Sequence, residues 1–318
     1  MGQNKQPMIS NICSTIRKRH VFASFLKTTR HKYRLSQEKL CATLKLKSRL
    51  FHNLDIITLS RWERGVNIPS LAKQVEVVEL YSQELVDIYS QDHHFVDESL
   101  NLLALSNLKK SSSAHPYYHG GHDNYKIETI NADNPRFKHI LKMIHNYEDN
   151  PQLEKYYLTA LLQRIYSLKI VIATVFDNQV VGHCLYLESN RNKVLQLLNC
   201  KTASLDLCDE AADSMLVLSS NGASVSIENC LMSVYINNFA SNKQLKYLCW
   251  YISDTSLLKK LARMKLLPFK VKPWSAEKRY TSVSSFLIDR SQVMANRFLL
   301  KLAVISPSRR AQFFAAQS

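Results

Sequence analysis

The chain has 318 residues, 46% of them hydrophobic and 21% charged, with a formal net charge of +16, enough for two independent cores of about 100–200 residues each. No apolar run approaches the roughly 20 residues that span a bilayer. Arg17, Lys18 and Arg19 are not followed by the apolar segment and small-residue cleavage site of a secretory signal, so membrane-spanning and exported classes are set aside. The seven cysteines are odd in number, widely spaced and without a CxxC pair, as in a reduced, cytoplasmic protein with no structural metal site.

Charge is unevenly placed. Residues 1–70 hold 14 Lys or Arg against three acids, whereas 71–110 hold three basic residues against seven acidic ones. A polyanion-binding module followed by a segment kept off the polyanion fits that reversal. A basic segment, 1–20, precedes the first periodic stretch. In 22–33, Phe22, Phe25, Leu26 and Tyr33 fall near one face at helical spacing. Ser36 can cap a second helix whose apolar face is Leu40, Cys41 and Leu44. Asp55 or Thr58 can cap a third, short helix that ends at Gly65 in the left-handed conformation. Pro69 and Ser70 open a fourth with Leu71, Val75, Val78 and Leu80 on its apolar side. Three short helices on a basic background form the pattern of an all-α helix-turn-helix bundle that reads double-stranded DNA.

The run Arg30, Leu35-Ser36-Gln37, Leu40-Cys41 and Thr58-Leu59-Ser60-Arg61-Trp62-Glu63-Arg64-Gly65, with Pro69-Ser70, closely resembles the Cro/phage-repressor (XRE) family over about a fifth of the chain. The resemblance implies that Gln37 meets the phosphate backbone, that Thr58, Ser60 and Arg61 lie on the recognition helix in the major groove, and that Arg30 and Glu63 form a buried structural ion pair. Thirteen residues separate Leu44 from Thr58, where the family's turn holds about five. The enlarged turn is basic through Lys45, Lys47 and Arg49, so Lys47 and Arg49 are further DNA-binding candidates; Leu50, Phe51 and Leu54 are expected to tuck into the core, and Trp62 to be core. Helices over 71–108 extend this domain, 21–108, or form a homodimer contact suited to a two-fold operator. Residues 109–124, with a Ser cluster and a Gly-Gly pair, read as a linker. His115, His119, His122 and Asp123 there are close in sequence, but a flexible segment does not fix a metal's geometry, and no metal site is assigned.

From 125 to 290 strands and helices alternate: a strand at YKIETINA, a helix capped at Asn134, a second helix over 151–166, a hairpin across Asp177-Asn178-Gln179, then strand, helix, strand, helix and two closing strands. This order resembles the GNAT-type N-acyltransferase fold, an α/β domain on a mixed sheet. In that family a Gly-rich loop cradles the acyl-CoA pyrophosphate; its place here is Ser219-Ser220-Asn221-Gly222-Ala223-Ser224, with one glycine of the usual two, so acetyl-CoA or another acyl-CoA is the candidate ligand and no cofactor is required. The family's proton-donating tyrosine aligns with Leu261, and its Gly-Phe with Lys265-Leu266; leucine cannot transfer a proton. Glu188 and Asp213 are as readily solvated strand-end carboxylates as bases, so no catalytic residue is assigned. Residues 291–318 read as a basic tail frayed at its end. The sequence thus describes a cytoplasmic, nucleoid-associated regulator with a small-molecule-sensing or interaction domain, or alternatively an acyl-CoA-dependent N-acyltransferase fused to a DNA-binding domain.

Overall fold

The computed structural model describes residues 20–104, 117, 125–147, 168–175, 178–199, 212–252, 255–273 and 282–316, in two compact units that divide between Pro69 and Ser70. The histidine-bearing stretch of the expected linker and the helix expected over 151–166 lie outside the described residues.

In the first unit, α1 (Val21–Lys32) buries Phe22, Ala23 and Leu26. Next, α2 (Gln37–Lys47) buries Leu40, Cys41 and Leu44, and the Ser36 hydroxyl accepts the Lys39 N–H at 3.1 Å. Finally α3 (Ile56–Glu63) begins at Asp55, whose carboxylate accepts the Thr58 N–H at 2.5 Å, and buries Leu59, Trp62 and Glu63. Gly65 closes it at φ +68°. The long connection is absorbed in two ways. Helix α2 runs on to Lys47, and a 3-10 turn, Arg49–Phe51, capped by Ser48, returns the chain to the core. Phe51 and Leu54 are buried as expected, with Phe51 edge-on to Trp62 at 6.4 Å between ring centroids. Leu50, expected inside, is instead 45% exposed, because a 3-10 turn has three residues per revolution and carries its first two positions away from the face that seats the third.

The second unit opens with α4 (Leu71–Leu80), α5 (Leu85–Tyr89) and α6 (His93–Ala104). Its sheet is built from β1 (Lys126–Asn131), β2 (Lys169–Thr174), β3 (Val180–Ser189), β4 (Ser214–Gly222), β5 (Tyr247–Ile252), β6 (Lys270–Pro273) and β7 (Ser282–Asp289), in the order β1-β2-β3-β4-β5-β7-β6. All neighbours are antiparallel except β4 and β5. Asn178, at φ +58°, lies between the paired strands β2 and β3. On one face, α7 (Phe137–Tyr147) and α8 (Arg191–Asn199) bring Phe137, Ile140, Ile144 and Val194 onto Ile170, Leu185 and Leu216. Asn134 accepts the Arg136 N–H at 2.9 Å, so it caps the approach to α7 rather than its first turn.

The other face carries α9 (Val225–Ser241), a helix buried around almost its whole circumference. Such a helix needs partners on two sides. On the sheet side, Asn238 donates to the Tyr186 hydroxyl at 2.7 Å, and Trp250 to that of Tyr235 at 3.2 Å. On its far side lie α6 and α12 (Arg297–Ala303). Two expectations are corrected here. The helices over 71–104 pack with the sheet-bearing unit, as α4 against α11 (Arg290–Ala295) and α6 against α9. Residues 291–316 are no tail: α11, α12 and α13 (Pro307–Ala315) are successively capped by Asp289, Asn296 and Ser306, α12 buries Leu299, Leu300 and Leu302, and Ile305 is buried in the connection that follows. The buried Arg310 guanidinium donates to the carbonyls of Ser233 and Ile305. Between α10 (Thr255–Arg263) and β6 the chain exposes Leu267 and Phe269.

Candidate functional site

In the first unit a buried network fixes α3. Arg30 donates to both carboxylate oxygens of Glu63, at 2.5 and 3.0 Å, and to the Leu35 carbonyl at 2.8 Å; Gln37 donates to Glu63 at 2.7 Å. Burial alone would raise the Glu63 pKa, but the hydrogen bonds from Arg30 and Gln37 and the guanidinium charge outweigh it and hold the carboxyl below its ordinary value. Glu63 sits near the C-terminal end of α3 and Arg30 near that of α1, so the pair sets how the two helices cross. Gln37, expected at a phosphate, has its amide turned to this pair.

With Leu59, Trp62 and Glu63 inward, the opposite side of α3 carries Ile57, Ser60, Arg61 and Arg64, at spacings of three, four and seven from the first. Arg61 and Arg64 are exposed and Ser60 is half-buried. Thr58 is half-buried, and its hydroxyl joins its backbone N–H in bonding the Asp55 cap, which lowers the Asp55 pKa. Lys45, Lys47 and Arg49 are exposed on the last turn of α2 and the 3-10 turn. The sequence reading passed over Ile56 and Ile57, 42% and 64% exposed at the start of α3; two apolar residues directly after the Asp55 cap, one position before the buried phase of the helix begins, are the signal that marks them.

In the second unit the expected anion loop is mostly strand. Ser219, Asn221 and Gly222 pair with Leu185, His183 and Gly182 of β3, and Ala223 and Ser224 are buried in the turn to α9. The Ser224 hydroxyl accepts the Ile227 N–H at 3.3 Å, and the Ala223 N–H donates to the Val181 carbonyl at 2.8 Å. A Cβ on Gly222 would lie 2.9 Å from the Glu228 nitrogen, so glycine serves the close approach of strand to helix. The first turn of α9 is also covered by α6: Asn229 donates to the Leu102 carbonyl at 2.9 Å, Ser226 donates to that of Leu103, and the Tyr125 hydroxyl lies 3.2 Å from Ser226. Carbonyl oxygens from a helix C-terminus are thus set where the N-terminal end of α9 would attract an anion.

Ser219 belongs to a separate buried line that sequence reasoning missed. His183 Nε2 and Ser219 Oγ are 2.5 Å apart, and His183 Nδ1 bonds the Tyr117 hydroxyl. A hydroxyl, an imidazole and a hydroxyl in series can pass a proton along the line, but all three residues are buried. Among the candidate bases, Glu188 is paired with Lys169 at 3.0 Å, and Asp213 accepts the Ser214 hydroxyl at 2.8 Å while its carbonyl accepts two backbone N–H groups from 246 and 247. Leu261 is fully buried. Beyond Val217, β4 continues along β3 to Gly222 while its pairing with β5 has ended, and Leu218 is the extra residue of a bulge there.

No family model matches the chain, and no curated protein matches its sequence. Among solved structures, a polyamine N-acetyltransferase of Drosophila melanogaster is similar at 8% identity and a TM-score of 0.36, covering 52% of this chain and 100% of its own. Arabidopsis thaliana NAA60 in complex with acetyl-CoA is similar at 8% identity and 0.37, covering 52% and 99%. A probable acetyltransferase from Staphylococcus epidermidis is similar at 13% identity and 0.31, again over 52% and 99%. Overlaps at these scores carry no argument about activity. Among the described residues, no helix is long and apolar enough to cross a membrane.

Proposed function

We propose that the chain is a sequence-specific DNA-binding transcriptional regulator that sets α3 in the major groove, acting as a homodimer, with the sheet-bearing unit as a non-catalytic ligand-sensing or interaction module. One observation carries the reading: a short helix, locked from behind by Arg30, Gln37 and Glu63, offers solvent a face of Ser60, Arg61 and Arg64, and the turn that leads into it carries Lys45, Lys47 and Arg49, all exposed. An α-helix fits the major groove, guanidinium groups reach guanine edges, and flanking cations meet phosphates. The test is binding of the full chain to a random duplex pool at several salt concentrations. Arg61→Ala should cost about 1–3 kcal/mol and relax selectivity at one position, whereas Lys45→Ala should weaken all duplexes alike and reduce the salt slope by about one. Absence of binding to any duplex at low salt would refute the reading.

A second reading, an acyl-CoA-dependent N-acyltransferase, is favoured by the separation of β4 from β5 beyond Val217 and by the helix that follows β4 directly. Against it stand the covered first turn of α9 and the absence of an acid at Leu261. Mixing the protein with acetyl-CoA and a polyamine and following free thiol separates the two; no release above the protein-free rate is expected.

A further inference from the structure

We propose that Ile57, with Ile56 beside it, reads the 5-methyl group of thymine, so that α3 selects sites by an apolar contact as well as by arginine; this rests on the DNA-binding reading. On α3 the inner positions are filled by Leu59, Trp62 and Glu63, so the core formed by the described residues of the unit is completed without an apolar side chain on the outer face. Yet the first two helical positions are both isoleucine, 42% and 64% exposed. β-Branched residues restrict χ1 and are poor helix formers, so a solvated first turn gains nothing from them. Single exposed apolar residues are ordinary. The pair is the apolar part of the helix face that carries the cations: Arg61 lies one turn beyond Ile57 on the same side and Arg64 two turns beyond, both exposed, and Lys45 acts with Arg61 on the Asp55 cap directly before Ile56.

An apolar protein surface would have to desolvate that cluster of cations, which a dry interface core avoids. Duplex DNA meets both demands, because phosphates line the groove edges and the major-groove floor carries one apolar group, the thymine methyl. Ile57 and Arg61, four residues apart, stack one above the other on the helix. The site implied therefore has a thymine within a base step or so of the base pair that Arg61 contacts.

The experiment starts from the tightest duplex that the full-length protein selects from a random pool. Each thymine is replaced in turn by deoxyuracil, which removes the methyl and keeps the pairing. The expected result is a loss of about three- to tenfold in affinity at one or two positions, and equal affinity of Ile57→Ala for the thymine and deoxyuracil duplexes at those positions. Thermal unfolding of Ile57→Ala checks that the fold is intact. Equal wild-type affinity for every substituted duplex, or a variant that still prefers thymine, overturns the inference while leaving DNA binding intact. Conversion of a dimer to a monomer by Ile57→Ala with the thymine preference kept would overturn it in favour of a second copy as occupant. Failure to bind any duplex overturns the DNA-binding reading and this inference together.

Discussion

At the scale of the residue, Glu63 ties three helices of the first unit together, accepting from Arg30 of α1 and Gln37 of α2. It is 4% exposed, Arg30 is 11% exposed, and Gln37 completes the set. Glu63→Leu would leave a mostly buried guanidinium without its anion, a loss of about 3–5 kcal/mol when a buried pair is broken from one side. Urea unfolding of the full chain followed by hydrogen exchange at the amides of α1 and α3 should show the first unit's transition at lower denaturant; an unchanged transition would mean that the pair contributes only orientation. Acid makes the same point without mutation. The Glu63 carboxyl titrates lower in the folded unit than in the unfolded chain, so its stabilisation is complete above the unfolded value of about 4.3 and is lost as pH falls through the folded value. In Glu63→Gln that component of the pH dependence should be absent. The pair was legible in the sequence only through the family resemblance, since nothing in the spacing of Arg30 and Glu63 says that they meet. Ile57 is passed over for the opposite reason: an apolar residue is assigned inward by its type, although its helical phase, opposite Leu59 and Trp62, sets it outward.

At the scale of the element, what the sequence yielded was local chemistry. Ser36, Asp55 and Gly65 are read correctly because a cap is decided by a few consecutive residues: a side-chain oxygen facing orphan N–H groups, or a residue free to adopt positive φ. Gly65 tests this. A Cβ there would meet nothing closer than 3.7 Å, so the cost of Gly65→Ala is conformational rather than steric, about 1–2 kcal/mol, and Gly65→Asn should recover part of it; calorimetry on both variants measures the difference. Gly222 fails in the other way. Its Cβ would press on the Glu228 backbone, so Gly222→Ala should destabilise the second unit by about 1–3 kcal/mol through overpacking. If Gly222→Ala unfolded at the wild-type temperature, glycine would be needed at that position for something other than close packing. A glycine in a Ser/Asn-rich run suits an anion loop and a tight strand-to-helix contact equally, and only the helix packed against it distinguishes them.

At the scale of the whole molecule, charge was legible as composition but not as pairing. The acidic excess of 71–110 was read as a segment held away from a polyanion, and the basic excess near the C-terminus had no assigned partner. In the second unit they meet each other. Glu84 accepts from Arg290 at 2.7 Å, and Glu98 from Arg297 at 3.2 Å and Lys301 at 2.8 Å. Arg290 also donates to the carbonyls of Phe239, Ala240, Asn242 and Leu245, closing the C-terminal end of α9. These contacts join residues some 200 positions apart, beyond any local window. The exposed pair to Arg297 contributes little by itself; the burial of Leu299, Leu300, Leu302 and Ile305 contributes roughly 1.5–3 kcal/mol for each side chain, together comparable to the margin by which most domains are stable. Deleting 290–318 should therefore abolish cooperative unfolding of the second unit and lower the soluble yield, whereas removing a frayed tail would change neither. The residue-by-residue counterpart is Arg290→Ala, which strands Glu84 and four carbonyls and should cost about 3 kcal/mol. A truncated chain that melted cooperatively at the full-length temperature would show that α11–α13 are dispensable and that α9 finds its second partner elsewhere.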